Sequence, residues 1–426
     1  MTDTIFALSS GAPPAAIAVV RVSGPQALEL LEALVGPLPD ERRLSLRTLR
    51  APGSGELLDR ALVVWFAGER SVTGEALVEL HLHGGRAVLD AVEAVLADMP
   101  GVRRARPGEF TWRAFRNGRL DLVQVESLSD LLRAETEAQR RAALAEEGLS
   151  GKVEQWRRAL LHLSALVEAA LDQSDEDDVP SDRTAIDALG AELIADLGRV
   201  LARPGAERLF DGVRVVFAGP PNSGKSSLIN ALAGREVAIT SAIAGTTRDV
   251  IEAPVKLGGV AFVLTDTAGL RGAGSDPIER IGIERAERRI AEADLVVWMD
   301  ETAEPHVRGD RLIRIHPRSD EPGREQAAGL LPVSAVTGEG LGALVALLVE
   351  RAAQLLPRES ELALSRRQRE HLARCHEGLL QFRQEPDELI AAEHLRVARQ
   401  ALDDLTGRAG TEDLLDALFA TFCIGK

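Results

Sequence analysis

The stretch from Val213 to Gly234, VRVVFAGPPNSGKSSLINALAG, constrains the chain more than any other. Its opening VRVVFAG is a short, nearly continuous apolar run, the pattern of a strand buried in a parallel sheet. Gly219 to Ser226 follows at once as GxxxxGKS, with a helix-like segment behind it. Strand, glycine loop and helix in that order turn backbone N–H groups toward a phosphate. Lys225 adds a compact charge there, and the Ser226 hydroxyl is placed to ligate magnesium. The alternative is a glycine turn with an incidental GKS, and the strand-to-helix context argues against it.

Two further stretches follow in a telling order. AGTTRD (244–249) comes about twenty residues after the loop, and DTAG (266–269) closes the strand VAFVLT behind a hairpin signalled by Gly258 and Gly259. Taken singly these are turn chemistry; after a phosphate loop they match the switches of a GTPase. Thr247 suits a threonine that closes over magnesium when a γ-phosphate is present, and Asp266 suits the carboxylate behind that ion. Many GTPases place after DTAG a glutamine that orients the attacking water, but here it is Leu270, which cannot. Catalysis then falls to another polar group, and the acidic residues downstream in LRGAGSDPIERIGIER are the available choices. For base recognition an NKxD stretch is expected, and the chain offers Pro317, Arg318, Ser319 and Asp320. Asp320 supplies the carboxylate for the guanine edge, Arg318 has a stem able to lie along a base, and the asparagine is missing. Ser334 and Ala335, in VSAVTGEG, complete a loop that favours guanine over adenine. The nucleotide set expected from these motifs is Asn222, Ser223, Gly224, Lys225, Ser226, Ser227, Thr246, Thr247, Asp266, Thr267, Ala268, Gly269, Arg318, Asp320, Ser334 and Ala335.

The rest of the chain sets the frame around this segment. Its 426 residues are 45% hydrophobic, enough for two or three packed domains. A net charge of −16 excludes a general coat for polyanions, so any nucleic-acid contact is expected to be local. No apolar run approaches a membrane span, the start MTDTIFALSS lacks a basic region before an apolar stretch, and two distant cysteines build no disulfide framework. The expectation is a cytoplasmic protein without membrane contact. Of 50 basic residues only Lys152, Lys225, Lys256 and Lys426 are lysines, so each marks a place where a guanidinium need not serve. Residues 1–118 read as α+β, with strands in AIAVVRV, ALVVWF and ALVELHLH. In the last of these Val78, Leu80 and Leu82 share one face, while Glu79, His81 and His83 share the other. That polar face is open to two readings, a zinc site or a solvated, ligand-facing side. Residues 119–210 and 353–426 are helical in style and flank the segment 211–352, an arrangement expected of a helical domain split by an inserted α/β domain.

The chain ends FCIGK. Its cysteine has the outline of a prenylation signal, but Gly425 and Lys426 occupy places where that signal wants other residues; a frayed terminus is the plain alternative. With this tail, the phosphate loop, AGTTRD, DTAGL, VRVSG (20–24), SVTGEALVELHLHGG (71–85) and RPGEFTWRAFRNGRLDL (106–122) assembled, the chain resembles the MnmE (TrmE) family of tRNA-modifying GTPases nearly end to end. The resemblance implies a multidomain α/β and α+β fold. Its parts would be an N-terminal α+β folate-binding and dimerisation domain (1–118), a split all-α helical domain (119–210 and 353–426, the latter with the CIGK motif) and an inserted P-loop (Ras-like) G domain (211–352). It implies a homodimer that pairs with an MnmG-type flavoprotein in a heterotetramer, with FAD on that partner. Together they would modify C5 of the wobble uridine (U34) of certain tRNAs to the carboxymethylaminomethyl or aminomethyl form, using the one-carbon unit of 5-formyltetrahydrofolate or a related folate.

Carried over position by position, the resemblance assigns folate contacts to Arg21, Glu79, Arg119 and Lys426. It assigns Mg2+ to Ser226 and Thr247, and K+ to Asn222, Ser241, Ile243 and Thr246. Glu279 would orient water, and Cys423 is either a reactive thiol or a buried, inert one. The arginines at 103, 104, 106, 113, 116 and 119, interleaved with Phe110, Trp112 and Phe115, read equally as a tRNA surface, a frame for an anionic folate or a solvated edge. Two rival functions remain: a ribosome-assembly or regulatory GTPase, and a scaffold that turns over no nucleotide.

Overall fold

The computed structural model describes residues 3–173, 183–234, 252–267, 286–300, 304, 305, 307–324, 329–357, 362–408, 418, 419, 422, 424 and 425. Its contacts divide the chain into two compact units, residues 1–129 with 406–426, and residues 130–405. The fold is multidomain, with an α+β part, a helical part and a P-loop α/β part.

The first unit is built on a six-stranded mixed sheet. Its strands are β1 (Thr4–Leu8), β2 (Ile17–Ser23), β3 (Ser45–Arg50), β4 (Leu57–Phe66), β5 (Leu77–His83) and β6 (Val102–Arg104), ordered β3-β4-β5-β2-β1-β6. Only β1 and β6 run parallel; the other neighbours are antiparallel. The period-2 pattern of β5 decides which face is inside. Val78, Leu80 and Leu82 are buried together with Val20 and Val22 of β2, beneath the apolar sides of helices Ala27–Val35 and Arg86–Ala97. On the opposite face Ile5, Ala7 and Leu77 pack against Phe110 of helix Glu109–Arg116. Three strands had escaped sequence patterning. The runs of β1 and β6 are short, and β3 lies at the sheet edge, where alternate residues face solvent and little apolar signal survives.

In the second unit, helix Glu137–Gln173 buries Leu149, Val153, Trp156, Leu160, Leu163 and Val167, a run of alternating four- and three-residue steps that makes one stripe. The stripe packs with helix Arg183–Leu201, which in turn packs on helix Arg366–Gln384. A capping box starts Arg366–Gln384, with Ser365 accepting from the Gln368 amide and Gln368 from the Ser365 amide. At Gly378 an added Cβ would stand 3.0 Å from the His394 carbonyl, so glycine lets two helices cross closely.

Between these helices the chain forms a second six-stranded sheet: β7 (Val213–Ala218), β8 (Glu252–Leu257), β9 (Val260–Asp266), β10 (Leu295–Trp298), β11 (Leu312–Pro317) and β12 (Leu331–Val333). The order is β12-β11-β10-β7-β9-β8, all parallel except the β8–β9 hairpin. Gly258 and Gly259 turn that hairpin at positive φ, as their pairing in the sequence predicts. Strand β7 lies inside the sheet, and its carboxyl end therefore opens beside those of β9 and β10. At the opposite end of these strands Asp294, just before β10, accepts from the Arg214 amide of β7 and pairs with Arg208 at 2.6 Å.

Candidate functional site

The phosphate loop leaves β7 at Gly219, where a Cβ would lie 3.0 Å from Cβ of Met299 and 3.1 Å from its carbonyl carbon, so Met299, just past β10, would have to give by a few tenths of an ångström to admit a side chain. Asn222 and Gly224 both take positive φ, which folds the loop back over the start of helix Lys225–Ala233. Lys225 is only 3% exposed. Its ammonium donates to the carbonyls of Gly219 at 3.1 Å and Pro220 at 2.8 Å, and to Ser223 Oγ at 3.4 Å. The Ser226 hydroxyl donates to Asp266 Oδ2 across the gap between helix and β9, and Thr267 Oγ1 donates to the Phe217 carbonyl at 2.9 Å. A hydroxyl and a carboxylate meeting at the mouth of a phosphate loop are hard oxygen donors of the kind Mg2+ takes.

A cavity of about 430 Å³ opens above this loop. Asn222, Ser223, Gly224, Lys225, Ser226 and Ser227 line one side, and Arg318, Asp320 and Ala335 the other. Ser334 sits buried beneath, its Oγ accepting from the amides of Val336 and Thr337. Sequence patterning had missed Met299, Glu321, Val333 and Val336, which also line the cavity. Glu321 directly follows the PRSD stretch, so adjacency was the available signal; the other three are apolar residues at strand ends and in a loop, without a chemical mark. Arg318, at φ 60°, donates from one guanidinium nitrogen to the Asn222 carbonyl at 2.9 Å and pairs with Glu321. It thereby joins the PRSD loop to the glycine loop that follows β7. The expected residues Ser241, Ile243, Thr246, Thr247, Ala268, Gly269 and Glu279 lie outside the described residues.

In the first unit, strand register sets Arg21 of β2 directly opposite Glu79 of β5, and Arg21 Nε donates to Glu79 Oε1 at 2.8 Å. The other Glu79 oxygen meets His81 Nε2 at 3.2 Å. His83 turns instead to Asp59, at 2.7 Å, and holds that carboxyl below its ordinary range. Burial pushes Asp59 up, but bonds from the His83 amide and ring and the Arg60 amide outweigh it. Among the described residues no group of three His, Cys, Asp or Glu stands where it could hold a metal ion. Arg119 stands exposed on the turn after helix Glu109–Arg116, its amide donating to the Ala114 carbonyl at 2.8 Å.

The arginine cluster divides. Arg103 pairs with Asp3 and Glu109, Arg104 with Glu93, and Arg113 is wholly buried against Asp3, Glu75 and Glu109. Arg106, Arg116 and Arg119 are exposed, with Arg116 lying 5.2 Å over the Trp112 ring. Three of the six arginines are therefore committed to ion pairs, and of these only Arg113 is buried; Arg104 stays exposed.

The described tail residues are seated. Phe419 and Phe422 are buried with Val125 in a cluster that also takes Trp112 and Phe115. Ile424 forms a β-bridge with Pro107, and the Gly425 carbonyl accepts from Ser9 Oγ at 2.7 Å. A Cβ on Gly425 would meet the Leu8 carbonyl oxygen at 2.1 Å. Leu8 of β1 pairs with Val20, the neighbour of Arg21, so the tail lies against the strand next to the one that carries the expected folate residue. Cys423 and Lys426 lie outside the described residues.

Comparison with known proteins agrees with this layout. A family model described as the GTP-binding protein TrmE N-terminus matches residues 4–119, and one described as the MnmE helical domain matches residues 122–423. A tRNA modification GTPase MnmE of Rhizorhabdus wittichii is 55% identical over 433 residues, covering 100% of this chain and 97% of the relative. One of Erythrobacter litoralis is 54% identical over 427 residues, covering 100% of both. Among solved structures, the G domain of the T. maritima FeoB iron transporter is 27% identical, covering 33% of this chain and 98% of that one, with a TM-score of 0.24, too low to bear on the fold. By both family models and by full-length identity above one half, the chain belongs to the MnmE (TrmE) family of tRNA modification GTPases.

Proposed function

We propose that the chain hydrolyses GTP in the cavity between the phosphate loop and the PRSD loop, and that this cycle drives modification of C5 of the wobble uridine in certain tRNAs. The observation that carries it is the cavity itself, where Lys225 and Ser226 face Arg318, Asp320 and Ala335, with the buried Asp266 accepting from Ser226 behind it. Loop amides and the Lys225 ammonium bind the phosphates, which replace the Gly219 and Pro220 carbonyls as that ammonium's partners. Asp320 and Ala335 take the guanine edge, and the Arg318 stem lies beside the base while its fork holds the Asn222 carbonyl. Ser226 and Thr247 hold Mg2+, with Asp266 and Thr267 behind them. Asn222, Ser241, Ile243 and Thr246 hold K+, Ala268 and Gly269 border the γ-phosphate, and Glu279 orients water. When bound, the two cations neutralise charge developing on the phosphate oxygens.

Folate is held by Arg21, Glu79, Arg119 and Lys426. Supporting this, the Arg21–Glu79 pair offers an acidic acceptor and a guanidinium side by side, a donor set that fits a ring bearing N–H groups and an anionic tail. When bound, the folate supplies a one-carbon unit. Cys423 is a candidate thiol beside it. The working assembly is a homodimer joined by an MnmG-type flavoprotein carrying FAD, in the cytoplasm. Among the described residues no helix is long and apolar enough to cross a membrane.

Measuring GTP turnover in potassium and in sodium tests the reading. Potassium-stimulated hydrolysis is expected; equal rates refute the cation assignment, and no hydrolysis in either salt supports a scaffold. Loss of the wobble-uridine modification in a strain lacking the gene is the second expected outcome, and its retention favours a regulatory GTPase.

A further inference from the structure

The loop before β5 makes an unusually close contact with the turn that carries Arg119. Gly74 sits at φ +73°, and a Cβ there would stand 2.8 Å from Cβ of Asn117, 3.1 Å from Cγ of Arg119 and 3.4 Å from Nδ2 of Asn117. The first of these atoms is rooted in the backbone, so the turn itself would have to shift to admit a methyl group. Neither side of the seam is free to yield. On the loop side, Thr73 Oγ1 meets Ser23 Oγ at 2.8 Å, and Glu75 receives the buried Arg113 guanidinium at 2.9 Å. On the turn side, Asn117 Nδ2 donates to the Thr73 carbonyl at 2.7 Å, and the amides of Asn117 and Arg119 are bonded back to Arg113 and Ala114.

We propose that Gly74 is a positioning residue for Arg119: the bare glycine lets the loop serve as a saddle for the arginine stem, and so sets where the exposed guanidinium meets an anionic folate. The inference rests on the folate reading of Arg119. The same loop runs directly into β5 and Glu79, so one rigid segment presents both residues. An alanine at 74 pushes the turn away from the Arg21–Glu79 pair without touching either member of that pair.

The test is binding of 5-formyltetrahydrofolate by calorimetry to the full-length protein and to Gly74→Ala, Arg119→Ala and the double variant, with melting curves as the check on folding. Expected are a loss of about tenfold or more for Gly74→Ala, a comparable loss for Arg119→Ala, and no further loss in the double variant, because both changes remove one contact. Additive losses, or wild-type affinity in a folded Gly74→Ala protein while Arg119→Ala binds weakly, overturn the inference and leave the folate reading standing. Wild-type affinity for Arg119→Ala overturns the folate reading of that residue and the inference with it. Should Gly74→Ala fail to fold, Asn117→Ala, which opens the seam by removing the bond to Thr73, carries the same expectation and the same refutation.

Discussion

At Cys375 burial alone sets the chemistry. The thiol sits 1% exposed in helix Arg366–Gln384, with desolvation as the cause that pushes it up to about 12. A thiol held protonated is a poor nucleophile. Cys375 is therefore expected to stay unmodified by iodoacetamide at pH 8 in the folded protein and to react fully in denaturant, as read by peptide mass spectrometry. Its contribution to stability is complete below the ordinary thiol value of 9.0 and is lost as pH rises toward 12, because the unfolded chain releases the proton first. Arg318 makes a different point at the same scale. Residue type alone allowed its stem to lie along a base; only the positive φ and the 2.9 Å bond to Asn222 reveal that its fork ties two loops together.

At the scale of an element, helix Glu109–Arg116 is held by charge as much as by Phe110. Arg113 is fully buried, receiving Asp3, Glu75 and Glu109 around one guanidinium. Removing the guanidinium strands Glu75 and Glu109, whose carboxylates are largely out of water. Arg113→Met is accordingly expected to destabilise the first unit by about 3 kcal/mol or more, seen as an earlier urea midpoint. Burial pushes the Glu109 carboxyl up, yet bonds from Arg103 and the Arg106 amide, with the charges of Arg103 and Arg113, leave it below its ordinary 4.5. Asp3 behaves alike, burial again opposed by Arg103 and Arg113. Lowered carboxyls contribute stability that is present above their ordinary values and lost as pH falls through the folded ones. A melting temperature of the first unit that is lower at pH 3 than at pH 7 is the expected result. Arginine spacing in RPGEFTWRAFRNGRLDL could not disclose this, since a buried arginine and an exposed one are the same letter; their difference lies in carboxylates up to 110 residues away.

For the whole molecule, the tail joins the two ends of the chain. Ser9 and Gly425 are 416 residues apart in sequence and hydrogen-bonded in the first unit. Removing the last four residues while keeping Phe422 in its aromatic cluster is expected to weaken 5-formyltetrahydrofolate binding about tenfold, roughly 1.4 kcal/mol, with potassium-dependent GTP turnover within about twofold of the full chain. Unchanged folate affinity would separate the tail from that site. The phosphate site was legible in the sequence because its parts are local: a buried strand, a glycine loop and a helix start are adjacent in the chain, and each has a strong residue preference. The β5 faces were legible for the same reason, since alternation is a property of neighbours. Three things were decided only in three dimensions: the seating of Ile424 and Gly425 against Pro107 and Leu8, the burial of Arg113, and the parting of His83, which meets Asp59, from His81, which meets Glu79. Each depends on which distant segments pack together, and a side chain's partner across a sheet or a fold leaves no periodic trace in its own stretch of sequence.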